Sequence, residues 1–266
     1  MKLKHVVLAV SFALGLTACG GGGSSSSSSS SSYDFKVTAV DGYLKNAIVT
    51  ATCGSATFTG ITNENGVAEL DTNGYDSKDC TIAITANADG TTTDMDTSET
   101  YKEGELYLLS PAGQDKTDLI ASPFTTMVAL LMQSSGGSVD LDAAIAQIAA
   151  DFGIKATDVT DDFIASGDAE IALKAMALIT ALPKTAEEFA AQVEDASATN
   201  TLVAKLLKIN TAVEEQIKEL VNNGEDLSTV IITVEVAADG TVTTEVEDKP
   251  QATGATDSAV GGGTGS

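Results

Sequence analysis

The chain contains no arginine, no tryptophan and a single histidine, His5. Lacking arginine, it has no planar guanidinium fork to clamp a phosphate or carboxylate. His5 lies in an N-terminal stretch with the plan of a cleaved secretory signal. Without it the chain has no imidazole for a Ser-His-Asp triad, a Cys-His pair or a histidine-ligated zinc or iron site. Carboxylate pairs, a lysine, or calcium or magnesium held by oxygen ligands remain for catalysis. So short a menu points away from an enzyme. Bases are also scarce: 14 lysines face 38 acids, for a net charge of −24. That imbalance argues against nucleic acid, whose affinity comes largely from neutralised phosphates. It suits a cationic partner or divalent cations. A plain solvated acidic surface is the simpler reading.

No stretch reaches the roughly 20 apolar residues that a membrane-spanning helix needs. Lys2 and Lys4 precede an apolar h-region of 11 residues, Val6 to Leu16, which fits a secretory signal. It leads into Leu16-Thr17-Ala18-Cys19. That run resembles a bacterial lipobox, where signal peptidase cleaves before the cysteine and lipid is attached to it. The resemblance implies a signal peptide over 1–18, lipid attachment at Cys19, and an acyl anchor in outer-membrane lipid. Gly20 stands where an aspartate would imply inner-membrane retention, which leans towards the outer membrane and leaves cell surface and periplasmic face both open. Loss of residues 1–18 removes Lys2, Lys4 and His5 but no acid, taking the net charge to −26. Residues 19–32, with Gly20 to Gly23 and Ser24 to Ser32, read as a lipidated tether. Its 13 Gly/Ser residues span about 20 Å root-mean-square.

Cys53 and Cys80 are the other two cysteines. In an oxidising compartment a single pair is most simply a disulfide. A redox-active pair is disfavoured because Cys-x-x-Cys spacing is absent. Closing about 27 residues would contribute about 3–4 kcal/mol on the chain-entropy account.

From Tyr33 to about Leu109 short alternating runs are separated by Gly, Asn and Asp. Phe35 to Val40, Ala47 to Cys53, Thr57 to Thr62, Val67 to Leu70, Cys80 to Ala86 and Leu106 to Leu109 read as strands. Such spacing argues for an antiparallel sandwich. The order Asp41-Gly42-Tyr43-Leu44, Ala47 to Thr50, and Thr59-Gly60-Ile61-Thr62-Asn63-Glu64-Asn65-Gly66, closed by Val67 to Leu70, is similar to the carboxypeptidase-regulatory-like (transthyretin-like) β-sandwich. This resemblance covers about 40 residues. It implies a fold and an accessory role in adhesion, spacing or carbohydrate contact. Asp94, Asp96 and Glu99 place oxygen ligands close together, as weak calcium candidates, but without the glycine and terminal glutamate of an EF-hand. A solvated loop is the competing reading.

After Ser110-Pro111 the apolar period changes from two to about 3.6. Ser122-Pro123 opens a first helix, Ser138 or Asp140 a second that ends at Gly153, and Asp168 a third that stops at Pro183. Thr185 with Glu188 reads as a capping box for a fourth. A fifth runs from about Thr199 to Asn222 and stops at Asn223-Gly224. Leu109 to Gly113 followed by Ser122 to Val128 resembles a stretch that joins β-modules to helical parts in bacterial surface lipoproteins. Phe124 replaces the usual leucine there. Thr229 to Val236, Ala237 to Gly240 and Thr241 to Val246 read as a β-hairpin that must pack on the helices or extend the first sheet.

The sequence therefore predicts an α+β multidomain chain. An N-terminal antiparallel β-sandwich over 33–110 precedes a small α-helical bundle over 111–227, a C-terminal β-hairpin over 228–249 and a disordered tail over 250–266. No cofactor is expected beyond a candidate structural calcium. The expected role is a lipid-anchored, non-catalytic cell-envelope protein, a surface adhesion or interaction module for a protein or glycan partner. The alternatives are a periplasm-facing assembly or transport accessory, and a carboxylate- or calcium-dependent carbohydrate-active enzyme.

Overall fold

A computed structural model describes residues 33–250, which belong to one compact unit. The expectations for the signal peptide, Cys19, the tether and residues 251–266 lie outside the described residues. The chain is of mixed α and β class, with several small sheets and six helices among the described residues. No described helix is long and apolar enough to cross a membrane.

Ten strands come first: β1 Phe35–Ala39, β2 Leu44–Lys45, β3 Ile48–Cys53, β4 Ala56–Ile61, β5 Val67–Leu70, β6 Cys80–Thr85, β7 Thr92–Asp94, β8 Thr100–Tyr101, β9 Tyr107–Ser110 and β10 Asp118–Ala121. They form sheets of order β4-β3-β6-β9, β10-β1-β5 and β2-β7-β8. Alternation sets the faces. Val49, Ala51 and Cys53 of β3 and Cys80, Ile82 and Ile84 of β6 are buried in one core with Phe35, Val37, Leu108 and Leu119. One pair departs from the antiparallel expectation: β10 runs parallel to β1, Val37 opposite Leu119. The loop after β9 carries the chain back to the open edge of β1. Asp118–Ala121 has only three apolar residues, too few to show an alternation, and lies in the segment read as the start of the helical part.

The motif residues hold the turns. The Thr62 hydroxyl accepts from the Ala47 amide at 2.8 Å and donates to the Leu44 carbonyl, closing the β2–β3 bend. Gly66 has φ of +70°, and a Cβ there would lie 2.6 Å from the Ala39 carbonyl oxygen. Its own carbonyl accepts from Ala39 at 2.8 Å. Only glycine serves both needs.

The helices follow: α1 Pro123–Ser134, α2 Leu141–Phe152, α3 Ala156–Thr160, α4 Ala169–Ile179, α5 Ala186–Glu194 and α6 Ala196–Asn223. Side chains of Ser122, Asp140, Asp168, Thr185 and Asp195 cap five of them by accepting backbone N–H groups. The second helix thus starts at Asp140, not Ser138. Glu188 reaches back to the Lys184 amide at 2.7 Å, one residue before the cap, so the capping box expected at Thr185 is displaced. Gly153 and Gly224 end α2 and α6 in the left-handed conformation. The helix expected from Thr199 begins three residues earlier, capped by Asp195. α3 adds a turn that was not expected.

α4 is buried on every side from Ile171 to Ile179, so it is the central helix rather than an amphipathic one. The hairpin, β11 Val230–Val236 and β12 Val242–Asp248, forms its own two-stranded sheet against α4 and α6. Its Val230 and Ile232 are buried in the helical core. Strand and helical cores exchange side chains: Val40, Leu109 and Ile120 belong to the helical one, Ile179 to the strand one.

Candidate functional site

The inward residues of the hairpin lose burial along its length. Val230 and Ile232 are buried, whereas Val234, Val236 and Val242 are only half-buried. The turn is fixed by Asp239, whose carboxylate accepts from the Thr241 amide at 2.9 Å, and by Gly240 at φ +82°. The tip therefore overhangs the N-terminal half of α6, and the Lys208 side chain of the helix reaches Gly240 in the turn. Between them lies a groove of about 780 Å³. One wall is the outer face of α6: Ala196, Ser197, Asn200, Thr201, Ala204, Lys205 and Lys208. The other is the hairpin end, with Val236, Ala237, Ala238, Gly240 and Val242. No acid, aromatic residue or proline lines it.

Cys53 and Cys80 form the expected disulfide, 27 residues apart in sequence. They face each other in the β3–β6 register, at the end of one strand and the start of the next. The calcium candidates do not converge. The buried Asp94 carboxylate accepts from the Asp96 amide at 2.7 Å and the Thr97 amide at 3.3 Å, holding a turn. Asp96 pairs with Lys249 at 3.1 Å. Glu99 is exposed. Among the described residues no group of three or more His, Cys, Asp or Glu is placed to hold a metal ion. The close spacing of acids serves a turn, whose N–H groups already use the Asp94 oxygen. Gly42 makes this packing fit: a Cβ there would lie 2.1 Å from Asp94 Oδ1.

No family model, curated protein or solved structure matches the chain. The chemistry of the site must therefore be read from its own residues.

Sequence reasoning missed a buried polar cluster where the strand and helical parts meet. Asp41 is 2% exposed, and Tyr101, also buried, donates to it at 3.2 Å. Its other oxygen has no partner among the described residues. Burial pushes the Asp41 carboxyl well above its ordinary range, reinforced by Asp94, while the Lys184 charge and the Tyr101 bond pull it back. Burial pulls Lys184 down, opposed by Asp41, Glu99 and Glu188. Burial and the nearby Asp41 charge push Tyr101 up. Lys184 donates to the Ile179 carbonyl, and the three groups line neither the groove nor the clefts at Asp34, Asp96, Lys174 and Thr233.

Tyr43 ties the same junction, donating to Asp162 at 3.0 Å; burial and that carboxylate push it up to about 12. Lys174 lies inside the helical part, 2% exposed in the middle of α4. It pairs with Glu170 at 3.2 Å and Glu214 at 3.0 Å, and donates to the Phe152 carbonyl at the end of α2. These contacts hold three helices together. A buried cation must be paired in this way, because removing one partner leaves an uncompensated charge.

Proposed function

We propose that this chain is a lipid-anchored, non-catalytic protein of the cell envelope. It acts as an interaction module for a protein or glycan partner, and its strand-rich part is a carboxypeptidase-regulatory-like β-sandwich. The observation that carries the binding role is the groove between α6 and the hairpin, open to solvent and with no acid among its lining residues in a chain that has 38 acids. A concave, preformed site with a few placed polar groups is the usual form of a ligand pocket. The lipobox-like run at Cys19 and the Gly/Ser tether support the anchor. The Cys53–Cys80 disulfide suits an oxidising compartment.

The first test is location. Cys19→Ala is expected to move the protein from the membrane fraction to the soluble fraction of its host. An unchanged distribution would remove the anchor. Protease shaving of intact cells, with antibody detection of the helical part, is expected to cleave it while a periplasmic control survives. Protection until the outer membrane is opened would move the role to a periplasm-facing accessory. A binding screen over glycans and envelope proteins, with no partner recovered from either, would count against the binding role itself.

A further inference from the structure

We infer that the groove between α6 and the hairpin is a docking site for an extended acidic polypeptide segment. This deepens the binding-module reading and rests on it.

Charge is the first support. The groove's lining carries Lys205 and Lys208, one helical turn apart, and no acid; Asp195, capping α6, and Asp239, in the hairpin turn within reach of the Lys208 charge, flank its ends. Neither ammonium forms a salt bridge among the described residues. The four clefts at Asp34, Asp96, Lys174 and Thr233 all contain acidic side chains. In a chain of net charge −24, the groove is thus a local exception, and an anionic ligand is drawn to it over the rest of the surface.

Shape and wall chemistry choose among anionic ligands. From Ala196 to Lys208 α6 rises about 18 Å, the length of five or six extended residues at roughly 3.3 Å each. Small side chains, Ala196, Ala204, Ala237 and Ala238, let a backbone approach closely. Val236 and Val242 offer apolar contact to alternate side chains. The Ser197 hydroxyl and Asn200 amide are exposed and unengaged by other described side chains or backbone, so they are available to peptide groups. A sugar ring would lack an aromatic face to stack on. An acyl chain needs a wall that is apolar throughout, and this one carries hydroxyl and amide groups along its length.

The probe is a random dodecapeptide display library, panned on the full-length protein in detergent. Selected sequences are expected to be rich in Asp and Glu interleaved with small apolar residues. Their binding should weaken about tenfold or more in Lys205→Gln/Lys208→Gln, and weaken as salt rises from about 50 mM to about 500 mM. Amide shifts in a bound complex should map to Ala204, Val236 and Gly240. Selection of basic or uncharged peptides, affinity unchanged in the double variant, or shifts elsewhere would overturn the inference. Polygalacturonate and palmitate run in parallel as competing probes. If either binds in the groove while no peptide is selected, the binding module stands and the peptide ligand falls. If no probe binds at all, both readings fail.

Discussion

At the scale of single residues, Asp41 is the most consequential side chain. Its carboxyl is buried beside a second acid, so its ionisation is costlier in the folded chain than in the unfolded one. A carboxyl raised in this way stabilises the fold fully below about pH 3.9, its unfolded value, and that contribution is lost as pH rises through the folded value. Asp41→Asn is therefore expected to gain stability relative to the parent chain as pH is raised from about 4 to about 8. Parallel melting temperatures for the two proteins across that range would reject the assignment. The sequence showed Asp41-Gly42 as a turn, which it is. That this aspartate is buried was not legible, because its partners Tyr101 and Lys184 are distant in sequence and carry no local signal. Lys174 was hidden for the same reason: nothing in a helical period separates a buried lysine from an exposed one.

At the scale of elements, the joint between β9 and α1 is built by two threonines. Thr125 donates to the Leu109 carbonyl at 2.6 Å, and the Thr126 hydroxyl accepts from the Leu109 amide at 2.8 Å. The Ser-Pro-Phe-Thr-Thr run thus caps a helix and holds the strand before it. Thr126→Val keeps the shape and leaves a buried N–H without a partner. It is expected to cost about 1–3 kcal/mol in urea unfolding, recovered in Thr126→Ser. A loss under half a kcal/mol would mean that the joint does not depend on this bond. The disulfide acts on β3 and β6. Cys53→Ala/Cys80→Ala is expected to lose about 3–4 kcal/mol. Peptide mapping without reductant is expected to recover the two linked cysteines, and free thiols in protein from its native compartment would remove the bond. Most helix ends were legible because caps act over three or four residues. β10 was not, since its partner strand lies about 80 residues away.

At the scale of the whole molecule, charge and packing oppose each other. A net charge of −24 repels itself across a compact body. Two cores that share side chains, and ion pairs such as Lys249–Asp96 across 153 residues, resist that repulsion. Raising salt from about 50 mM to about 500 mM is expected to raise the melting temperature by a few degrees, because screening relieves the repulsion. A fall would show that specific ion pairs outweigh it. The shared side chains also argue for joint unfolding. Calorimetry is expected to give one transition for the strand and helical parts, and two separated transitions would mean that the parts unfold independently.

The sequence alone determined whatever depends on neighbours a few residues apart. It set the helical period from Ser122 onwards, the caps at Ser122, Asp168 and Thr185, the stop at Gly224 and the β11–β12 turn, and narrowed the cap of the second helix to Ser138 or Asp140. The Cys53–Cys80 pairing was legible too, on the expectation that Cys19 is taken by lipid. The tertiary structure decided what depends on residues meeting across long separations. It set β10 against β1, buried α4 on all sides, gathered Asp41, Tyr101 and Lys184, and turned the acids at Asp94 and Asp96 into a turn and an ion pair. It also left the hairpin tip overhanging α6. That groove exists because inward burial on the hairpin fades towards its turn, a property of how two elements are stacked.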